Sequence, residues 1–170
     1  MTLLNPAIFF LSVATATASW AVLMWMAKPR WLAQQGSSGY MKGLMTVHLF
    51  RFIGLVAMVP SIVDPVPFGW TPTYLAQIGF GDWIANVLAI FAIIGHTKKW
   101  KSAMLFTWAF IVEGTLDTLF AGGSIVPSIT DQNKLNTMGW FILVVYVPGL
   151  IVTEAMLWWH LLKERKAIQS

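Results

Sequence analysis

From Pro6 to Ala27 the chain runs twenty-two residues without one charged side chain. That is enough helix to cross the ~30 Å hydrocarbon core of a bilayer. Four more apolar stretches follow, at about 41–63, 81–96, 102–121 and 138–162. Charged residues make up only 11% of the 170, against about 25% in a soluble domain, so a water-soluble core could not hide these stretches. The expectation is one all-α domain over residues 1–170, a polytopic integral membrane helix bundle with five transmembrane helices. Five spans and their loops leave no room for a separate soluble domain. No Lys or Arg precedes the first stretch, and it is longer than the core of a signal peptide, so it reads as a retained helix.

The charges between the stretches orient the bundle. Lys28, Arg30 and Lys42 flank the first connection, Lys98, Lys99 and Lys101 fill the third, and Lys163, Arg165 and Lys166 follow the last stretch. The second connection carries Asp64 and Asp82 without a base, and the fourth only Asp131 and Lys134. Basic residues mark cytoplasmic loops, so the N-terminus is expected outside and the C-terminus in the cytoplasm of a bacterial inner membrane. Trp31, Trp100, Trp158 and Trp159 would then form one interfacial belt, and Trp70, Trp83 and Trp140 the other. The basic residues sit at loop ends, a membrane-topology pattern, and no nucleic-acid partner is implied. The partners expected are the lipid bilayer and either other membrane proteins or further copies of this chain.

Local patterns add detail. Ser12, Thr15 and Ser19 form a small polar face on the first stretch that would admit a neighbouring helix. Thr71-Pro72 can cap a short helix in the second connection, with Tyr74, Leu75 and Ile78 on one face. Pro148 predicts a kink. Tyr146, Thr153 and His160 recur every seven residues on one side of the last stretch. Without cysteine, thiolate catalysis, disulfides and thiolate metal sites are excluded.

Ionisable groups inside apolar stretches are costly, about 3 kcal/mol each on insertion scales, and default to function. The candidates are His48, Arg51, Asp82, Asn86, Glu113, Asp117 and Glu154. At 1.5 Å per residue, Arg51 and Glu113 fall at nearly the same depth, so these two are expected to pair directly or through one water. His48 and Arg51 share a helix face, as do Glu113 and Asp117. Glu154 falls level with His48, making a contact between them plausible. Asp82 and Asn86, near the outer end of the third stretch, would line with Asp117 a polar cavity opening toward the outer face. Acids outnumber bases in this set, so those not paired with Arg51 must be protonated, hydrated or bound to a cation. His48, His96 and His160 do not share one depth, so haem ligation is disfavoured and no cofactor is assigned. The acids and His48 are spread over too much depth for one metal ion, and no metal site is expected.

The run His48-Leu49-Phe50-Arg51-Phe52, with Gly81-Asp82 and Gly114-x-x-Asp117, resembles small bacterial multi-helix membrane proteins that are uncharacterised. The resemblance implies that His48, Arg51, Asp82 and Asp117 form one polar constellation, and it leaves Glu113 outside. Three functions fit the residues. One is transport or permeation of a cation, proton or small polar solute. Another is an accessory subunit of a larger membrane complex, near a pigment or cofactor. The third is a membrane enzyme acting on a lipid-like substrate with an acid pair as catalyst.

Overall fold

The structure is a computed structural model that describes residues 6–59, 71–129 and 141–169. These residues form helices and the turns between them. Helix α1 spans Pro6–Thr46 and continues as a 3-10 helix over Val47–Met58. Helix α2 spans Pro72–Lys98 and α3 spans Ala103–Ile129. A π-helical turn at Ile142–Tyr146 leads into α4, Val147–Gln169. Among the described residues, four helical segments are long and apolar enough to cross a membrane: Ile8–Val56, Pro72–Lys98, Ala103–Gly123 and Ile142–Glu164.

Helix α1 is not one rod. Gln35 and Gly36 leave helical geometry, with Gly36 at φ +57, a left-handed conformation that glycine adopts without steric cost. The chain reverses there. Tyr40 packs on Trp31 at 6.3 Å, Lys42 reaches back to Gln35, and Gly43 lies against the Trp31 indole, where a β-carbon would collide. The expected first connection is therefore shorter than its charges suggested. Helix continues past Ala27 through Pro29, and the second limb starts at residue 37 rather than 41.

Two other boundaries differ from expectation. The capped helix at Thr71-Pro72 and the third apolar stretch are one continuous α2, with the Thr71 hydroxyl accepting from the Tyr74 N–H at 3.1 Å. Glycines at 79 and 81 do not break it; Gly79 lies against Met58 and the Gly54 carbonyl, and Gly81 against Asp117. On α1, the hydroxyls of Ser12, Thr15 and Ser19 donate to their own backbone carbonyls four residues earlier, and Thr15 and Ser19 remain exposed. The helix meets its neighbour instead through Trp20, whose Nε1 donates to the Val145 carbonyl at 2.8 Å. Pro60, Asp64, Trp70, Asp131, Lys134 and Trp140 lie outside the described residues.

The core joins the second limb of α1 to α2, α3 and α4. Leu44, Met45, Ala85, Ala89, Ala92, Phe110, Ile111 and Leu157 are buried there. Ala85, Ala89 and Ala92 make a small-residue stripe on α2 that permits close helix approach. Large apolar side chains such as Leu11, Trp25, Leu105, Leu116 and Trp159 point outward.

The 3-10 segment is unusual, because such helices rarely exceed three or four residues. Three successive carbonyls in it are held by side chains. The Tyr146 hydroxyl donates to the Val47 carbonyl at 3.3 Å, and Asn86 Nδ2 donates to His48 and Leu49 carbonyls at 3.2 and 2.6 Å. Switching from α to 3-10 bonding at Val47 disturbs the carbonyl pattern, and these donors compensate. Pro148 acts similarly on the last helix. It lacks the N–H that an α-helix would give the Val144 carbonyl, and the turn before it widens, with the Val147 N–H bonding back to the Ile142 carbonyl. If Asn86 holds the 3-10 segment, Asn86→Leu should destabilise the protein by about 1–3 kcal/mol through unpaired buried carbonyls. Denaturant titration in detergent micelles, compared with wild type, measures this.

Candidate functional site

With three residues per turn, side chains three apart on a 3-10 helix eclipse one another. The segment therefore has three straight ridges. His48, Arg51 and Gly54 form one, and it faces α2, α3 and α4. Both His48 and Arg51 are 1% exposed. Arg51 makes the central contacts. Its Nε donates to Asp82 Oδ1 at 2.7 Å, Nη1 to Glu154 Oε1 at 2.6 Å, and Nη2 to Asp117 Oδ2 at 2.8 Å. Nη2 also donates to the Thr118 hydroxyl at 3.1 Å and the Gly114 carbonyl at 3.2 Å. One guanidinium thus joins carboxylates from three different helices. Its planar fork of five donors suits this; a lysine ammonium would not present it.

The glycines that precede the acids make the room. A β-carbon on Gly81 would overlap the Asp117 carboxylate, and one on Gly114 would sit 2.9 Å from Arg51 Nη1 and 3.2 Å from Glu154 Oε1. Asp82 and Asp117 thus meet the same guanidinium from different helices.

His48 completes the cluster. Its Nε2 lies 2.8 Å from Thr153 Oγ1. Its Nδ1 lies 4.0 Å from Glu154 Oε1 and has no hydrogen-bond partner. Phe110 packs edge-on against the imidazole at 4.8 Å.

Several expectations change here. Arg51 does not pair with Glu113, whose Oε2 is buried without a partner. The 3-10 segment rises about 0.5 Å more per residue than an α-helix, which carries Arg51 further along the limb to the level of Gly114 and Asp117, the turn after Glu113. Asp82 does not mark an outer mouth. Because α2 begins at Pro72, Asp82 lies ten residues inside it and bonds Arg51 directly. Asn86 binds 3-10 carbonyls rather than lining an opening with Asp82. Glu154 does approach His48, as expected from depth. Tyr146, Thr153 and His160 do line one side of the last helix: all three bond the limb formed by residues 37–58, at Val47, His48 and Ser37.

Several partners carry little signal in the sequence. Thr118 bridges Arg51 and Glu154, with its hydroxyl 3.3 Å from Glu154 Oε1. Its position directly after Asp117 is the only sequence clue. Ser37 and Ser38, just past the Gly36 turn, meet His160 at 2.7 Å and His96 at 3.3 Å. His96 also bonds Thr107 at 2.9 Å. Trp158, expected in an interfacial belt, turns inward to donate to the Thr115 hydroxyl at 2.9 Å and pack on Trp108.

A second ridge of the 3-10 helix, Val47, Phe50 and Ile53, borders a separate apolar cavity of about 490 Å³. Trp20, Met24 and Trp31 from the first limb, and Phe141, Ile142 and Tyr146, complete its wall. None of the carboxylates lines it.

Residues 8–162 match a family model described as a domain of unknown function (DUF8737). The chain belongs to that family. No curated protein and no solved structure matches it. Every member of the charge cluster, from His48 to Glu154, lies within the DUF8737 match. Among the described residues, no group of three or more His, Cys, Asp or Glu could hold a metal ion; the Arg51 guanidinium occupies the space between the carboxylates.

Breaking a buried ion pair costs about 3–5 kcal/mol, because the partner is left uncompensated. Arg51→Met should cost at least that, and Arg51→Lys should recover only part of it. Asp82→Asn should cost less than either, since it removes part of the acid surplus. Unfolding midpoints of the purified variants rank them.

Proposed function

We propose that this chain is a five-span bacterial inner-membrane protein in which the Arg51 cluster carries a proton, cation or small polar solute across the bilayer. The observation that carries this reading is the charge balance. One guanidinium faces three carboxylates, so the fully ionised group holds a net charge of 1 − 3 = −2 deep among apolar helices. A structural pair would need one acid. The surplus favours binding of a positive species, and a bound species that exchanges with both sides is a transported one.

Position supports the reading. Asp82 is about 15 Å along α2 from Pro72, at 1.5 Å per residue, and Asp117 is near the middle of α3. The outward-facing Leu11, Leu105, Leu116 and Trp159 suit acyl chains rather than water. The turn at Gly36 divides Ile8–Val56 into two antiparallel limbs, which supports counting that segment as two crossings. The lysines at 98, 99 and 101, between α2 and α3, support a cytoplasmic position for that end of the bundle.

The enzyme reading is weaker, because the apolar cavity that suits a lipid-like substrate has no carboxylate in its wall. The same outward aromatic surface favours, as a second reading, a subunit docked against other membrane proteins or copies of itself.

Topology is directly testable, since the chain has no native cysteine. Ser102→Cys should react with an impermeant maleimide only from the cytoplasmic side, and Thr71→Cys only from outside. Transport is tested in sealed liposomes under an imposed proton or cation gradient. Wild type should dissipate it above the protein-free background. Asp117→Asn should slow it at least about tenfold, the effect of about 1.4 kcal/mol on the barrier. Flux equal to background for every ion tried would contradict the reading.

A further inference from the structure

Thr153 has a single hydroxyl hydrogen, and that hydrogen is committed. Thr153 Oγ1 lies 2.7 Å from the Gly149 carbonyl and 3.1 Å from that of Leu150, neither of which can donate. The hydroxyl therefore accepts from His48, and His48 Nε2 is the protonated nitrogen. Nδ1 then presents a bare lone pair. It is fully buried, has no partner, and faces Glu154 Oε1 at 4.0 Å. Two acceptors confronting each other in a dry interior leave a site that one proton would complete.

We propose that His48 Nδ1 is a proton-binding site coupled to Glu154, and that the species this cluster takes up is the proton. The claim deepens the permeation reading and rests on it only for the proton's onward movement. On binding, Nδ1 forms an N–H bond with a proton delivered by hydronium, which leaves as water. The new N–H then donates to Glu154 Oε1 after an approach of about 1 Å, reaching the ~2.8 Å of a charge-assisted bond. Arg51 Nη1 already holds that oxygen at 2.6 Å, so the imidazolium and the guanidinium share it.

Two opposing influences act on a proton at His48: the Arg51 guanidinium repels it and the surrounding carboxylates attract it. The ionisable groups around His48 are Arg51 on its own segment, Asp82 on α2, Glu113 and Asp117 on α3, and Tyr146 and Glu154 on the last helix. Arg51 faces three carboxylates, Asp82, Asp117 and Glu154, and a proton on His48 would add a second positive charge to offset that surplus in a low-dielectric interior. The Phe110 edge and the Thr153 bond hold the ring in place for this exchange.

The test is a pH titration of ¹⁵N-histidine-labelled protein in lipid bilayers by solid-state NMR. At high pH one buried histidine should show protonated Nε2 and bare Nδ1. Lowering the pH should convert Nδ1 to the protonated form. His48→Gln should delete that titrating signal and leave those of His96 and His160. If His48→Gln does not fold, Thr153→Val supplies the assignment by shifting only the His48 signal, through loss of its Nε2 partner. A His48 Nδ1 that keeps one protonation state at every pH where the protein stays folded overturns the inference. Because this readout needs no gradient, a titrating His48 in a non-conducting protein rejects permeation alone. A silent His48 in a conducting protein rejects this site alone.

Discussion

Arg51 is the hub of the bundle. From one ridge of a 3-10 helix its guanidinium reaches Asp82 on α2, Asp117, Thr118 and the Gly114 carbonyl on α3, and Glu154 on α4. A buried charge is tolerable only when its partners are in place, so each helix is held to the others by the same requirement. The guanidinium needs the acids, and the acids need the guanidinium. The 3-10 geometry is what aligns His48 directly beneath Arg51, and Asn86 and Tyr146 hold the carbonyls that this geometry disturbs.

That same segment separates two environments. Its His48–Arg51–Gly54 ridge faces ions, while its Val47–Phe50–Ile53 ridge borders an apolar cavity. A change in one is therefore felt by the other through a single stretch of backbone. The far end of the limb is tied independently. Ser37 and Ser38 meet His160 and His96, Lys28 lies over the Tyr40 ring, and Tyr40 packs on His160. The Gly36 turn is thus anchored to α2 and α4 at one end of the bundle, and Arg51 anchors the limb at its middle.

Much of the cluster was legible in the sequence, because an ionisable residue in an apolar stretch stands out against its surroundings. His48, Arg51, Asp82, Asp117 and Glu154 were all singled out, and they converge. What was not legible was the pairing. A single rise per residue misplaces depth here, because neither the 3-10 segment nor the continuity of the Thr71-Pro72 helix with the third apolar stretch can be read from composition. Those two facts exchange Glu113 for Asp82, Asp117 and Glu154 as partners of Arg51. The reversal at Gly36 was hidden for a similar reason. Polar residues around positions 28–40 look like a long loop, yet helix continues through Pro29 to within two residues of the turn.

The claim on which the rest stands is that one guanidinium is held among carboxylates of three helices, away from the apolar exterior. Dipolar recoupling NMR between ¹⁵N-arginine and ¹³C-labelled aspartate and glutamate side chains, in lipid bilayers, measures it directly. The account predicts contacts within ion-pair distance, about 4 Å, from Arg51 to Asp82, Asp117 and Glu154, each lost in the matching Asp→Asn or Glu→Gln variant. An Arg51 whose nitrogens show no carboxyl carbon nearby, or only that of Glu113, would contradict it.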